Sequence, residues 1–109
     1  MTTTEPDYGG NAQFYADRAR SDTWVVTVIG EVDLANQDLF QAVVDRALDA
    51  NPARMIFDVA GVRFMDSSGL GVLIAAANGT EAVEVRAPLP AVRRLIEISG
   101  LTDVLRIVE

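Results

Sequence analysis

An α/β domain built on a mixed, mostly parallel sheet is what the sequence predicts, and three observations lead there. Short runs rich in β-branched residues alternate with segments whose apolar residues recur at helical spacing. One run, "ARMIFDVA" (53–60), is apolar enough for a buried parallel strand. The 109 residues, half of them hydrophobic and 23% charged, suit one core without a second domain.

The opening stretch "MTTTEPDYGGNAQ" is rich in Thr, Pro and Gly and has neither a basic n-region nor an apolar h-region, so it is not read as a signal peptide. Residues 1–11 are expected to be a disordered N-terminus, with the domain running over 12–109. "QFYADRA" (13–19) reads as a strand, Arg20, Ser21 and Asp22 as a turn, and "TWVVTVIG" (23–30) as a second strand with Trp24, Val26 and Val28 on one face. Together they predict an antiparallel hairpin. In "QDLFQAVVDRALDA" (37–50), Phe40, Val43, Val44, Ala47 and Leu48 recur at helical spacing. Asn36 suits the N-cap, Asp38 the positive first turn, and Pro52 stops continuation beyond Asn51.

The strand over 53–60 leads through "GVRFMD" to a second helix, Ser68–Ala77. That segment is apolar on all sides and is expected to be central and largely buried, with Asn78-Gly79 as a left-handed stop. "EAVEVRA" (81–87) alternates, placing Val83 and Val85 inward. "LPAVRRLIEISG" (89–100) is a third helix with Pro90 near its first turn, an apolar stripe of Val92, Leu95 and Ile96, and Gly100 as the C′ residue. Leu101 is placed for the hydrophobic contact that follows such a cap, and "DVLRIV" (103–108) reads as a last short strand, with a helix as the alternative. The expected order is β-β-α-β-α-β-α-β.

Composition removes several kinds of chemistry. Without cysteine there is no disulfide, thiol nucleophile or thiolate metal site; without histidine no Ser-His-Asp triad forms within the chain. Zinc sites of the usual His and Cys kinds are excluded with them, and no oxygen-ligand loop of EF-hand type appears. The net charge is −7, and all nine basic residues are arginine. Such a chain repels phosphate backbones and anionic headgroups, so neither nucleic acid nor a membrane surface is expected as a partner. A basic face on another protein fits better. No run approaches the roughly 18 apolar residues of a membrane span, and a cytoplasmic location is expected.

Functional residues of an open α/β sheet gather at the carboxyl ends of its strands. "GEVDLAN" (30–36) and "RFMDSSGLG" (63–71) both fall there, so Asp33, Asn36, Asp66, Ser67 and Ser68 are expected to form one acidic rim. Ser67 lies beside a helix N-terminus, where an anion is favoured. The plain reading is that Ser67 or Ser68 is an N-cap, yet one hydroxyl suffices for a cap and two are present. Without histidine, a Ser67 nucleophile would need a lysine or carboxylate base, and lysine is absent. Nucleotide binding through "GLGVLI" is a weak reading, since the final glycine of the dinucleotide fingerprint and the lysine of a P-loop are both missing.

"FMDSSGLGVL" closely resembles the signature segment of STAS-domain anti-sigma factor antagonists. "TVIGEVDLAN" is similar to that family's first strand-loop motif, usually Gly-Glu-Leu-Asp, and "VRRLIEISGLTDVLRI" to its last helix and Ser-Gly-Leu turn. The resemblance implies a four- to five-stranded mixed, mostly parallel sheet with helices mainly on one face. It implies that Ser67 is phosphorylated by an ATP-using anti-sigma factor that is itself a serine kinase, and that Asp33 contacts that kinase. Asp33, Asn36, Asp66, Ser67, Ser68 and Gly69 would make up the partner-binding set. Two positions depart from the family pattern, Val32 where leucine is common and Asn36 where threonine is common. On this reading the protein is no enzyme and holds no cofactor or metal. ATP and Mg²⁺ belong to the kinase, and a serine phosphatase restores the active form. The alternatives are a STAS subunit of a lipid-transport complex or stress-signalling scaffold, or a nucleotide-binding STAS module.

Overall fold

The computed structural model describes residues 7–9 and 11–109. Its elements follow as β1 (Asp7–Gly9), β2 (Ala12–Arg20), β3 (Thr23–Val32), α1 (Gln37–Leu48), β4 (Arg54–Met65), α2 (Ser67–Gly79), β5 (Ala82–Arg86), α3 (Pro90–Ile98) and β6 (Arg106–Val108). The strands lie in one sheet in chain order, β1 to β6. β1, β2 and β3 pair antiparallel, and β3–β4, β4–β5 and β5–β6 pair parallel, each parallel step crossing over through one helix. The predicted alternation is therefore present as β2 to β6, and β1 adds a sixth strand. Asp7–Gly9 fall inside the stretch 1–11 expected to be disordered and pair with β2; residues 1–6 and 10 of that stretch lie outside the described residues.

Register explains where the core forms. Phe14 pairs with Val28, Ala16 with Val26, Val26 with Phe57, and Phe57 with Val85, and all of these side chains are buried. The intervening row Tyr15, Thr27, Asp58 and Arg86 is only half-buried. The helices thus cover one face. Phe40 of α1 stacks on Phe14 with centroids 5.0 Å apart and meets Phe57 edge-on at 6.1 Å. Trp24 is partly buried, with the Arg18 guanidinium 5.6 Å above its ring.

Three local expectations are corrected. β4 continues beyond Ala60 to Met65, because register shifts at Thr27/Ile29 and Gly30/Glu31 absorb extra residues and keep it paired with β3. α2 is not buried all round. Gly69, Leu70, Val72, Leu73 and Ala76 face the core, while Ser67, Gly71, Ala75 and Asn78 are exposed one turn apart. Asn78-Gly79 does not turn left-handed; the helix runs through Gly79 to an extended Thr80, whose hydroxyl donates to the Pro52 carbonyl at 2.6 Å.

The end of α3 matches its sequence signals. Gly100 has φ +72°, its N–H donates to the Glu97 carbonyl at 3.1 Å, and the Leu101 N–H reaches Ile96 O at 3.3 Å. That is a Schellman closure, with Leu101 packed against the core. A turn over 102–105 then buries Leu105 before the short β6. Among the described residues no helix is long and apolar enough to cross a membrane.

Candidate functional site

β3 and β4 end side by side, with Val32 paired to Met65. The pairing carries one step further, since the Asp66 N–H donates to the Val32 carbonyl at 3.2 Å. The two strand-to-helix junctions singled out in the sequence therefore meet.

The first junction, residues 33–36, is closed by Asn36. Its Oδ1 accepts from the Asp33 N–H at 3.1 Å and its Nδ2 donates to the Glu31 carbonyl at 2.9 Å. The Asn36 N–H also donates to the Asp33 carbonyl at 3.2 Å. Asn36 precedes α1, but its side chain makes no capping bond to the helix, because both of its polar atoms are spent on the loop. It is 2% exposed, so it acts from beneath the rim and not on it. Asp33 is half-buried, and its Oδ1 accepts from the Ala35 N–H at 3.0 Å.

At the second junction the helix cap is neither serine. Asp66 has the extended backbone of an N-cap (φ −99°, ψ −172°), and its Oδ1 accepts from the Ser68 N–H at 2.9 Å. Its carbonyl accepts from Leu70 at 3.2 Å. Ser67 becomes the first residue of α2 and is exposed. Among the described residues its hydroxyl makes no hydrogen bond. Ser68 is half-buried, and its carbonyl accepts from Gln37 Nε2 at 3.4 Å, a second tie between the junctions.

The two glycines behave differently. A Cβ on Gly69 would lie 2.7 Å from Met65 Cγ and 2.8 Å from Val32 Cγ1, so Gly69 is buried packing where α2 crosses the strand ends. A Cβ on Gly71 would meet nothing within 4 Å. Of the six residues in the predicted set, Asp33, Asp66, Ser67 and Ser68 share the rim, whereas Asn36 and Gly69 support it from inside.

Three participants lie outside the predicted set. Gln37 clasps the Ser68 carbonyl, Gly71 leaves the helix bare one turn below Ser67, and Leu34 stands 74% exposed beside Asp33. Only Gly71 carried a signal, being a poor helix former inside a helix. Asp33, Asp38 and Asp66 give the surroundings a negative sign, while Glu31 is offset by Arg63 at 3.4 Å. Asp66 is committed to its cap, and no histidine or lysine exists to deprotonate Ser67. The arrangement leaves the Ser67 hydroxyl exposed at the first turn of α2, with the Asp66 carboxylate beside it held by the Ser68 N–H.

Residues 15–109 match the STAS domain family. The chain belongs to that family. An anti-sigma F factor antagonist from Lysinibacillus sphaericus is 29% identical over 93 residues, which cover 81% of this chain and 80% of the relative. Among solved structures, an anti-sigma factor antagonist from Mycobacterium paratuberculosis superposes with a TM-score of 0.80 at 24% identity, covering 88% of this chain and 84% of that one. The Bacillus cell fate determinant SpoIIAA in its phosphorylated form gives 0.70 at 23% identity, with 88% and 91% covered. At these identities the two structures share the STAS fold with this chain, and that likeness speaks for fold alone.

Proposed function

We propose that this STAS domain is an anti-sigma factor antagonist switched by phosphorylation of Ser67. In the unmodified state the rim of Asp33, Asp66, Ser67 and Ser68, with the exposed start of α2, docks onto an anti-sigma factor that is a serine kinase. Docking releases the sigma factor held there. The kinase brings ATP and Mg²⁺, a serine phosphatase reverses the modification, the chain itself uses no cofactor, and the exchange takes place in the cytoplasm. One observation carries this reading: Asp66 takes the helix cap and leaves the Ser67 hydroxyl exposed and uncommitted. The name of the Lysinibacillus relative supports it.

The switch follows from charge. A phosphate adds about −1.5 to −2 charges at pH 7. The Ser68 N–H that could receive it is already held by the Asp66 carboxylate. The new anion therefore adds its charge to a rim that already carries Asp66 and Asp33. Two like charges 4 Å apart cost on the order of 4 kcal/mol at an effective dielectric of 20. Half of that lowers affinity more than tenfold.

The test is to incubate the protein with its cognate kinase and ATP and to map the modified residue by mass spectrometry. Modification at Ser67 is expected. Ser67→Ala should keep binding and resist inactivation, and Ser67→Asp should bind poorly. Modification at Ser68, or none, overturns the proposal.

A further inference from the structure

We infer that Leu34 is the apolar anchor by which the kinase recognises this chain, seated in an apolar pocket with a cationic rim. The inference rests on the docking reading above and adds to it the residue that selects the partner.

A single exposed leucine is ordinary. Leu34 differs in how it is held. Five large hydrophobic residues are exposed among the described residues, and Leu34, at 74%, is the most exposed of them. It stands at the tip of a loop whose backbone is fixed on both sides. Asp33 before it donates to Asn36 Oδ1 and accepts from Ala35 N–H, and Asn36 after it is buried and bonded back to Glu31. The fold thus fixes the backbone beneath a side chain from which its own core gains little. A loop whose backbone is set in advance has less freedom to lose when its tip is seated, so more of the burial appears as affinity.

Position ties Leu34 to the phosphoacceptor. The loop is bounded by Val32 and Gln37, and each of these bonds to the turn that carries Ser67: Val32 O to Asp66 N, and Gln37 Nε2 to Ser68 O. A partner that reaches the Ser67 hydroxyl therefore covers the loop between those ties. Charge sets the chemistry of the pocket. Asp33 and Asp38 flank Leu34 in sequence, and Asp66 lies on the adjoining turn. An apolar cavity bordered by arginine or lysine side chains complements that arrangement.

The test measures Ser67 phosphorylation by the cognate kinase at varied protein concentration, for the full chain and three variants. Leu34→Ala should raise KM about tenfold, as removal of a buried leucine side chain implies, with kcat unchanged because the contact is equal in ground and transition states. Leu34→Met should restore most of the affinity. Ile98→Ala is the matched control: Ile98 is 73% exposed and ends α3, away from the rim, so KM should stay at the wild-type value. Wild-type KM should rise with ionic strength.

If wild type is modified at Ser67 while Leu34→Ala keeps the wild-type KM, the anchor is overturned and the docking reading stands. A KM indifferent to salt overturns the cationic rim. If wild type is neither bound nor modified, the docking reading fails and the anchor falls with it.

Discussion

Gly69 and Gly71 stand two residues apart on α2, and they face opposite surroundings. Gly69 is pressed against Met65 and Val32, where any side chain would collide, whereas Gly71 borders open space. Glycine inside a helix costs about 1 kcal/mol relative to alanine at either position. At Gly69 the fold needs that cost to be met, because the helix could not otherwise approach the strand ends. At Gly71 nothing in this chain requires it. That leaves the helix bare just below Ser67, where the docking proposed above would bring a partner's surface close.

Substitutions on the two sides sharpen or break this contrast, from the largest effect to the smallest. Leu73→Ala, on the closed side, should lose about 2–5 kcal/mol of stability in urea unfolding because Leu73 is fully buried. Gly69→Ala should lose about 1–2 kcal/mol by the same measurement, since overpacking outweighs the gain in helix propensity. Asp66→Ala should lose about 1 kcal/mol by removing the cap. Gly71→Ala should instead gain about 0.5–1 kcal/mol while weakening kinase binding in a pull-down or calorimetric titration. A variant both more stable and equally well bound would show that the bare helix face serves no partner. Ala75→Ser, also on the open side, should stay within about 0.5 kcal/mol of wild type, and a larger loss there would erase the distinction between the sides.

Much of this arrangement is legible in the sequence. The spans of β2, β3, α1, β5 and α3 follow from periodicity, and the Gly100–Leu101 closure is readable because glycine, position and apolar neighbour agree. The cap of α2 is not. Asp66, Ser67 and Ser68 are all good N-caps, and the choice depends on one backbone angle, the extended ψ at Asp66. The length of β4 is hidden because bulges change the burial pattern from Val59 onward, so Val62 and Met65 are buried three residues apart and not two. The open side of α2 is hidden because its exposed residues are small and mostly apolar, which in sequence resembles burial. Asn36 reads as a cap because the same amide can serve a helix or a loop, and only the folded chain turns it toward Glu31 and Asp33. Leu34 gives no sign at all: a leucine near a helix start reads as core.

The margins of the sheet have a consequence of their own. Its two outermost strands, β1 and β6, are three residues long each, and the part of β2 that β1 leaves unpaired carries Asp17, Arg18 and Arg20. A long, flat, uncharged border would template addition of a second molecule and, by repetition, a fibril. Among the described residues the ladder stops after a few hydrogen bonds and then meets side chains of both signs. Growth by strand addition is thereby discouraged along those stretches of the sheet border.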